Sequence, residues 1–203
     1  GHYKPRGQKL SQYSEILMEK LIALANNDIK PDACIFLGDF IEDANDHDLD
    51  MAFLKHALSL FKGFKMPVYM IPGNHEFKTL SRTEVAQVMH QRHSTYSVTL
   101  NGYHLIFLGL GVEESLASHN DSIARSRFIT NDDIAWLERD LNSNKQPTLI
   151  FHHYGIAEDD MESNYWFRKE KEKALLSNRN QLKQIFNKHT NIMGVFSGHQ
   201  HWT

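Results

Sequence analysis

Leu10, Tyr13, Leu17, Leu21 and Leu24 recur three or four residues apart, which predicts an amphipathic helix over 10–26. A short unbroken apolar run follows, Ala33 to Leu37, and reads as a buried strand. Helical spacing returns over 48–62 through Met51, Leu54, Leu58 and Phe61, and Pro67 to Ile71 is a second buried strand. A further helix is expected over 82–92. Tyr96 to Leu100 and Tyr103 to Leu110 flank Asn101-Gly102, a pair suited to a tight turn with positive φ, so a hairpin is expected. Thr130 to Asn142 reads as a helix, with Thr130 and Asp133 in a capping arrangement and Ile134, Leu137 and Leu141 as its apolar stripe. Thr148 to Phe151 is another strand, 154–174 is polar and irregular, 175–189 is helical, and Ile192 to Phe196 is a last strand. Strands alternating with helices imply an α/β domain, and the hairpin makes its sheets mixed rather than purely parallel.

Composition narrows the class. The chain of 203 residues is 41% hydrophobic and 23% charged, enough for one sizeable core, so a single domain over 1–203 is expected. A net charge of −3 argues against a general nucleic-acid binder, which shows a basic face. No apolar run is long enough to span a membrane. The chain begins at Gly1 without a Met or a signal peptide and stops just after an apolar run, so both ends are expected to be cut, and a cytoplasmic location is the default. Histidine is abundant, with 13 residues, whereas Cys34 is the single cysteine. That excludes a disulfide framework and a thiolate zinc site. A bound metal would need imidazole, carboxylate and amide ligands.

The chemistry collects after the strands. Gly38-Asp39, Gly73-Asn74-His75-Glu76, His152-His153 and Gly198-His199-Gln200-His201 each follow a buried apolar run. In open α/β sheets, sites form outside the carboxyl ends of strands, so these four ends are candidates to converge. Asp, Asn and neutral His suit Mn, Fe, Zn or Co. A carboxylate can bridge two cations and an imidazole nitrogen cannot, which makes Asp39 the natural bridge. Paired cations are a recurrent device for phosphoester hydrolysis.

These four motifs, in this order over residues 33–201, resemble the calcineurin-like metallophosphoesterases. The resemblance implies a two-sheet mixed β-sandwich flanked by helices and a metal-dependent phosphoester hydrolase. It implies two divalent transition-metal ions (Mn, Fe, Zn or Co) and a hydroxide activated there that attacks phosphorus. Asp39 matches the bridging ligand. Asn74, His152 and His199 match ligands of the second metal, and His201 a ligand of the first. His152 is preferred to His153 because it falls first after the strand, and His153 is expected to orient or pack. His75 matches the catalytic histidine beside the phosphate. The family's opening D-x-H motif is absent, so the first strand is expected to be missing, with Tyr3-Lys4-Pro5-Arg6-Gly7 resembling the loop after it. The second metal then keeps Asp39, Asn74, His152 and His199, whereas the first keeps only Asp39 and His201, so one ion is expected to be held better than two. The substrate expected is a small phosphorylated molecule, a phosphodiester or nucleotide type. The alternative is a non-catalytic scaffold on the same fold with a degraded metal site.

Other residues carry weaker readings. Glu76 is expected either to support the site from behind its ligands or to be structural, and Asp43, Asp46, His47, Asp48 and Asp50 to form a solvated loop and helix start. His2, His47, His56, His90, His93, His104, His119 and His189 read as surface or packing residues. Tyr165-Trp166-Phe167 leaves two readings: stacking on a substrate ring, or pinning its loop to the core.

Overall fold

A computed structural model describes residues 11–91, 93–113 and 126–201. Tyr3–Gly7, His2 and His119 lie outside them. Strands β1 (Cys34–Phe36) and β2 (Val68–Met70) pair in parallel, Cys34 opposite Val68 and Phe36 opposite Met70. The second sheet runs in the order β3 (Tyr96–Leu100), β4 (Tyr103–Leu108), β5 (Thr148–His152) and β6 (Ile192–Ser197). Its first pair is antiparallel and the rest are parallel. Asn101 and Gly102 make the hairpin turn at φ 49 and 85°, the positive values that suit a two-residue turn.

The two sheets pack face to face. Ile35, Leu37 and Tyr69 of the first sheet and its strand ends meet Leu105, Phe107 and Phe151 of the second. Register places Phe107 beside Phe151 and Phe151 beside Phe196. Their rings therefore stack in a row, with centroids 5.1 and 5.3 Å apart. The alternate residues of β1 and β2, Cys34, Phe36, Val68 and Met70, turn outward onto Phe61 and Phe64. Ile106, Leu108 and Ile150 of the second sheet likewise turn onto Leu137, Leu141, Leu182 and Ile185 of the helices. Apolar cover on both faces explains why the strands read as unbroken apolar runs.

Five α-helices flank the sheets among the described residues: α1 (Ser14–Leu24), α2 (His47–Phe61), α3 (Arg82–Val88), α4 (Asn131–Ser143) and α5 (Arg179–Phe186). Caps fix several starts: Asp46 accepts from the Leu49 N–H, and Thr130 Oγ1 from the Asp133 N–H. Ser81 and Glu84 form a reciprocal capping box. Two expectations shift. The stripe Tyr13, Leu17, Leu21 and Leu24 on α1 is exposed, and Met18, Ile22 and Ala25 pack inward instead. Both faces of that helix are apolar, so period alone could not choose between them. The helix expected from 175 starts at Arg179, because Leu175 and Leu176 are drawn into backbone contacts with Gly155. No helix of the described residues is long and apolar enough to cross a membrane.

Candidate metal centre

The parallel ends of β1 and β2 place the Gly38-Asp39 and Gly73-Asn74 loops side by side. They touch so closely that a Cβ on Gly38 would lie 2.4 Å from Gly73 N, and one on Gly73 2.3 Å from Asp39 Oδ1. Gly38 and Asp39 both adopt positive φ, 93 and 56°. One buried carboxylate holds the two loops together. Glu76 accepts the backbone N–H groups of Asp39 (3.0 Å), Phe40 (2.6 Å), Ile41 (3.2 Å) and Gly73 (2.6 Å). Burial and the charge of Asp39 raise the Glu76 pKa, against the pull of the Gly73 N–H. The Glu76 side chain thus ties the two loops together. Asp39 Oδ1 in turn accepts the His75 N–H at 3.0 Å.

The second sheet supplies the imidazoles. Consecutive strand residues face opposite sides, so only one of His152 and His153 can meet Asp39. Sequence reasoning prefers His152 as the ligand, but the ring that the structure sets beside Asp39 is that of His153. His153 Nε2 lies 3.1 Å from Asn74 Oδ1 and 3.4 Å from Asp39 Oδ2, and Nδ1–H donates to the Leu37 carbonyl at 2.6 Å. His152 stays fully buried on the other side, where burial lowers its pKa to about 4.

His199 arrives from β6 through a turn at φ 60°. Its Nε2–H donates to the Lys173 carbonyl at 3.0 Å, which leaves the lone pair on Nδ1. That Nδ1 is buried with no hydrogen-bond partner. Burial, reinforced by the neighbouring charge of His153, lowers the His199 pKa to about 3, so the ring is neutral.

Asp39, His153 and His199 each offer a ligand atom within 4.8 Å of the others. Burial alone would raise the Asp39 pKa, but His153, His75 and His199 outweigh it and hold the carboxyl well below the usual carboxylate range. Burial opposes charge on His153, but Asp39, the Leu37 carbonyl and Glu76 together raise its pKa. The backbone bond at Nδ1 fixes the His153 tautomer. Its Nε2 therefore either carries a second proton toward Asp39 or offers a lone pair. In the second state, Nε2, His199 Nδ1, Asp39 and Asn74 Oδ1 are acceptors facing one another, an arrangement that a cation satisfies. Carbonyl oxygens behind both rings supply the outer support typical of metal-binding histidines. The donor set fits a divalent transition metal.

The other expected residues divide. Asn74 is buried within the cluster. His201 is exposed, with its ring 5.8 Å from that of Trp166, and lies outside the group of Asp39, His153 and His199. His199 and His201 both sit at positive φ, 60 and 49°. His75 Nδ1 lies 2.6 Å from Asp43 Oδ2, in a second group with Glu42. Asp43 is a residue that sequence reasoning missed; it stood in an acidic stretch read as a solvated loop. The neighbouring Asp50 is also buried, accepting from the Ala44 N–H and the Thr79 hydroxyl. No periodic signal separates these two carboxylates from the exposed ones around them.

The sequence model of the calcineurin-like phosphoesterases matches residues 12–203. Among solved structures, the chain is similar to a dimetal phosphatase from Danio rerio, with TM-score 0.67, 16% identity, and 94% of this chain and 73% of that one covered. It is also similar to the phosphopantetheinyl hydrolase of Mycobacterium tuberculosis, with TM-score 0.52, 15% identity, and 89% and 80% covered. At these identities the likeness is one of fold. No similar curated protein was found.

Proposed function

The chain belongs to the calcineurin-like phosphoesterases, a metal-dependent phosphoester hydrolase, and on that premise we propose that Asp39, Asn74, His153 and His199 hold a divalent transition-metal ion at its reaction centre. The observation that carries this reading is the buried, unpartnered Nδ1 of His199 beside Asp39 and His153. A lone pair buried without a donor costs free energy unless something fills the gap. An ion bound there supplies a Lewis acid for phosphoryl oxygens and lowers the pKa of water.

The chain's own residues do the rest. Asn74 and Asp39 orient the donor set, and the Leu37 and Lys173 carbonyls lock the two imidazoles in the tautomers that ligation requires. Asp43 accepts Nδ1–H of His75, so the ring is fixed and exchanges protons through Nε2. We assign His75 the role of hydrogen-bonding a phosphoryl oxygen in the transition state or protonating the leaving oxygen. His201, read as a ligand of the other ion, is not part of this donor set. The substrate is a small phosphoester of the phosphodiester or nucleotide type.

The test is direct. The chain is loaded with Mn²⁺ and assayed on a generic aryl phosphodiester and monoester beside Asp39→Ala and His75→Ala. Turnover that Asp39→Ala abolishes is the result expected; turnover that survives Asp39→Ala would refute the site.

A further inference from the structure

The segment after β5 contains three successive aromatic residues, and the structure gives them different jobs. Phe167 is buried against Met161, Ala174 and Leu175, and its ring lies 4.8 Å from that of His199. It pins the segment to the core. Tyr165 and Trp166 do not share that burial: they are 52% and 38% exposed. Trp166 meets Tyr165 edge to face at 5.0 Å, and His201 edge to face at 5.8 Å.

The exposed pair is held rigidly. Asn164 is 3% exposed, and its Oδ1 accepts the backbone N–H groups of Trp166 (2.9 Å) and Phe167 (3.0 Å). Such an Asx turn sets the direction of the residues that follow. The other end of the same amide donates to the Gln200 carbonyl at 2.5 Å. Gln200 stands between His199 and His201, and its side chain occupies the space that a Cβ on Gly155 would need. One buried amide therefore bolts the Tyr165-Trp166 turn to the loop that carries His199.

We propose that Trp166, with Tyr165 at its edge, is the platform on which a planar group of the phosphoester stacks, so that the preferred substrate carries a nucleobase or aryl ring. The inference rests on the phosphoester reading of the adjacent centre and deepens it. A pinning residue is buried, as Phe167 is; Trp166 is exposed instead, beside the loop that carries His199. Stacking on an aromatic ring tolerates any base, because every base has a π-face.

The test compares adenosine 5′-monophosphate with ribose 5-phosphate, which share sugar and phosphate and differ in the base. Both are titrated calorimetrically into the Mn²⁺-loaded chain, with tryptophan fluorescence read in parallel. Wild-type is expected to bind the nucleotide roughly tenfold more tightly than the sugar phosphate. Trp166→Ala is expected to bring that ratio close to one and to remove the quenching, whereas Trp166→Phe keeps most of the ratio. A ratio unchanged in Trp166→Ala, a wild-type ratio of one, or no binding of either ligand overturns the proposal. A preserved ratio with no hydrolysis of an aryl phosphodiester would instead overturn the hydrolase reading and leave the platform standing.

Discussion

The ends of β1 and β2 and the ends of β5 and β6 bring donors to the same place by different means. The first pair is tied by a single carboxylate: Glu76 gathers four backbone N–H groups from two loops. The second pair is positioned from behind, each ring by one backbone carbonyl, Leu37 for His153 and Lys173 for His199. The first half depends on backbone shape, with two glycines and a positive φ at Asp39. The second depends on which side chain of a neighbouring pair faces inward. A rigid loop frame and a pair of aimed imidazoles fail in different ways, and that difference can be measured.

The largest effect is expected at the tie. Glu76→Ala leaves four N–H groups, two buried and two part-buried, without their acceptor and should destabilise the fold on the order of 4 kcal/mol, read by urea unfolding. A loss below about 1 kcal/mol would mean that the loops hold themselves. On the other half, His153→Ala should weaken Mn²⁺ binding about 100-fold or more, read by equilibrium dialysis, because a ligand atom and its carbonyl support are both lost. His152→Ala should leave that affinity near wild-type and act on stability alone, as a buried ring removed from the core. The reverse order of affinities would restore His152 as the ligand. Asp43→Asn should lower kcat roughly 10- to 100-fold while metal content stays constant, because it frees the His75 ring without touching the donor set. A parallel loss of metal would move Asp43 into the ion site.

The smallest effect serves as a control remote from both halves. Ser81 holds the Glu84 carboxyl down to about 2, through its backbone N–H and its hydroxyl. A folded pKa below the ordinary 4.5 means that this contribution is present above that pH and is lost as pH falls toward 2. Glu84→Gln should flatten the acid limb of the unfolding midpoint over that window. Its cost at pH 7 should stay below about 1 kcal/mol, because the side chain is part-exposed. Metal affinity should not change.

Much of the fold was legible. The hairpin turned where Asn101-Gly102 stands, because only a few residue pairs accept positive φ in succession. The capped start of α4 at Thr130 was equally local, since a hydroxyl reaches an N–H three residues on. The wrong face of α1 came from a helix with apolar residues all round, where the neighbours decide which side is covered. Asp39, Asn74, His75 and His199 could be picked out as candidates because short motifs join them to strand ends. Asp43 was not, since its partner His75 lies in another loop, 32 residues away.

The sequence by itself determined the four strand-end motifs, the chemistry of their donors and the alternation that builds two sheets. Glycine, asparagine and aspartate act on backbone conformation within a few residues, so their effects can be read along the chain. Only the tertiary structure decided that His153 rather than His152 meets Asp39, and that Glu76 ties two loops. Each of these depends on the packing of one sheet against the other, because a side chain's facing direction becomes a contact only when another element occupies that side.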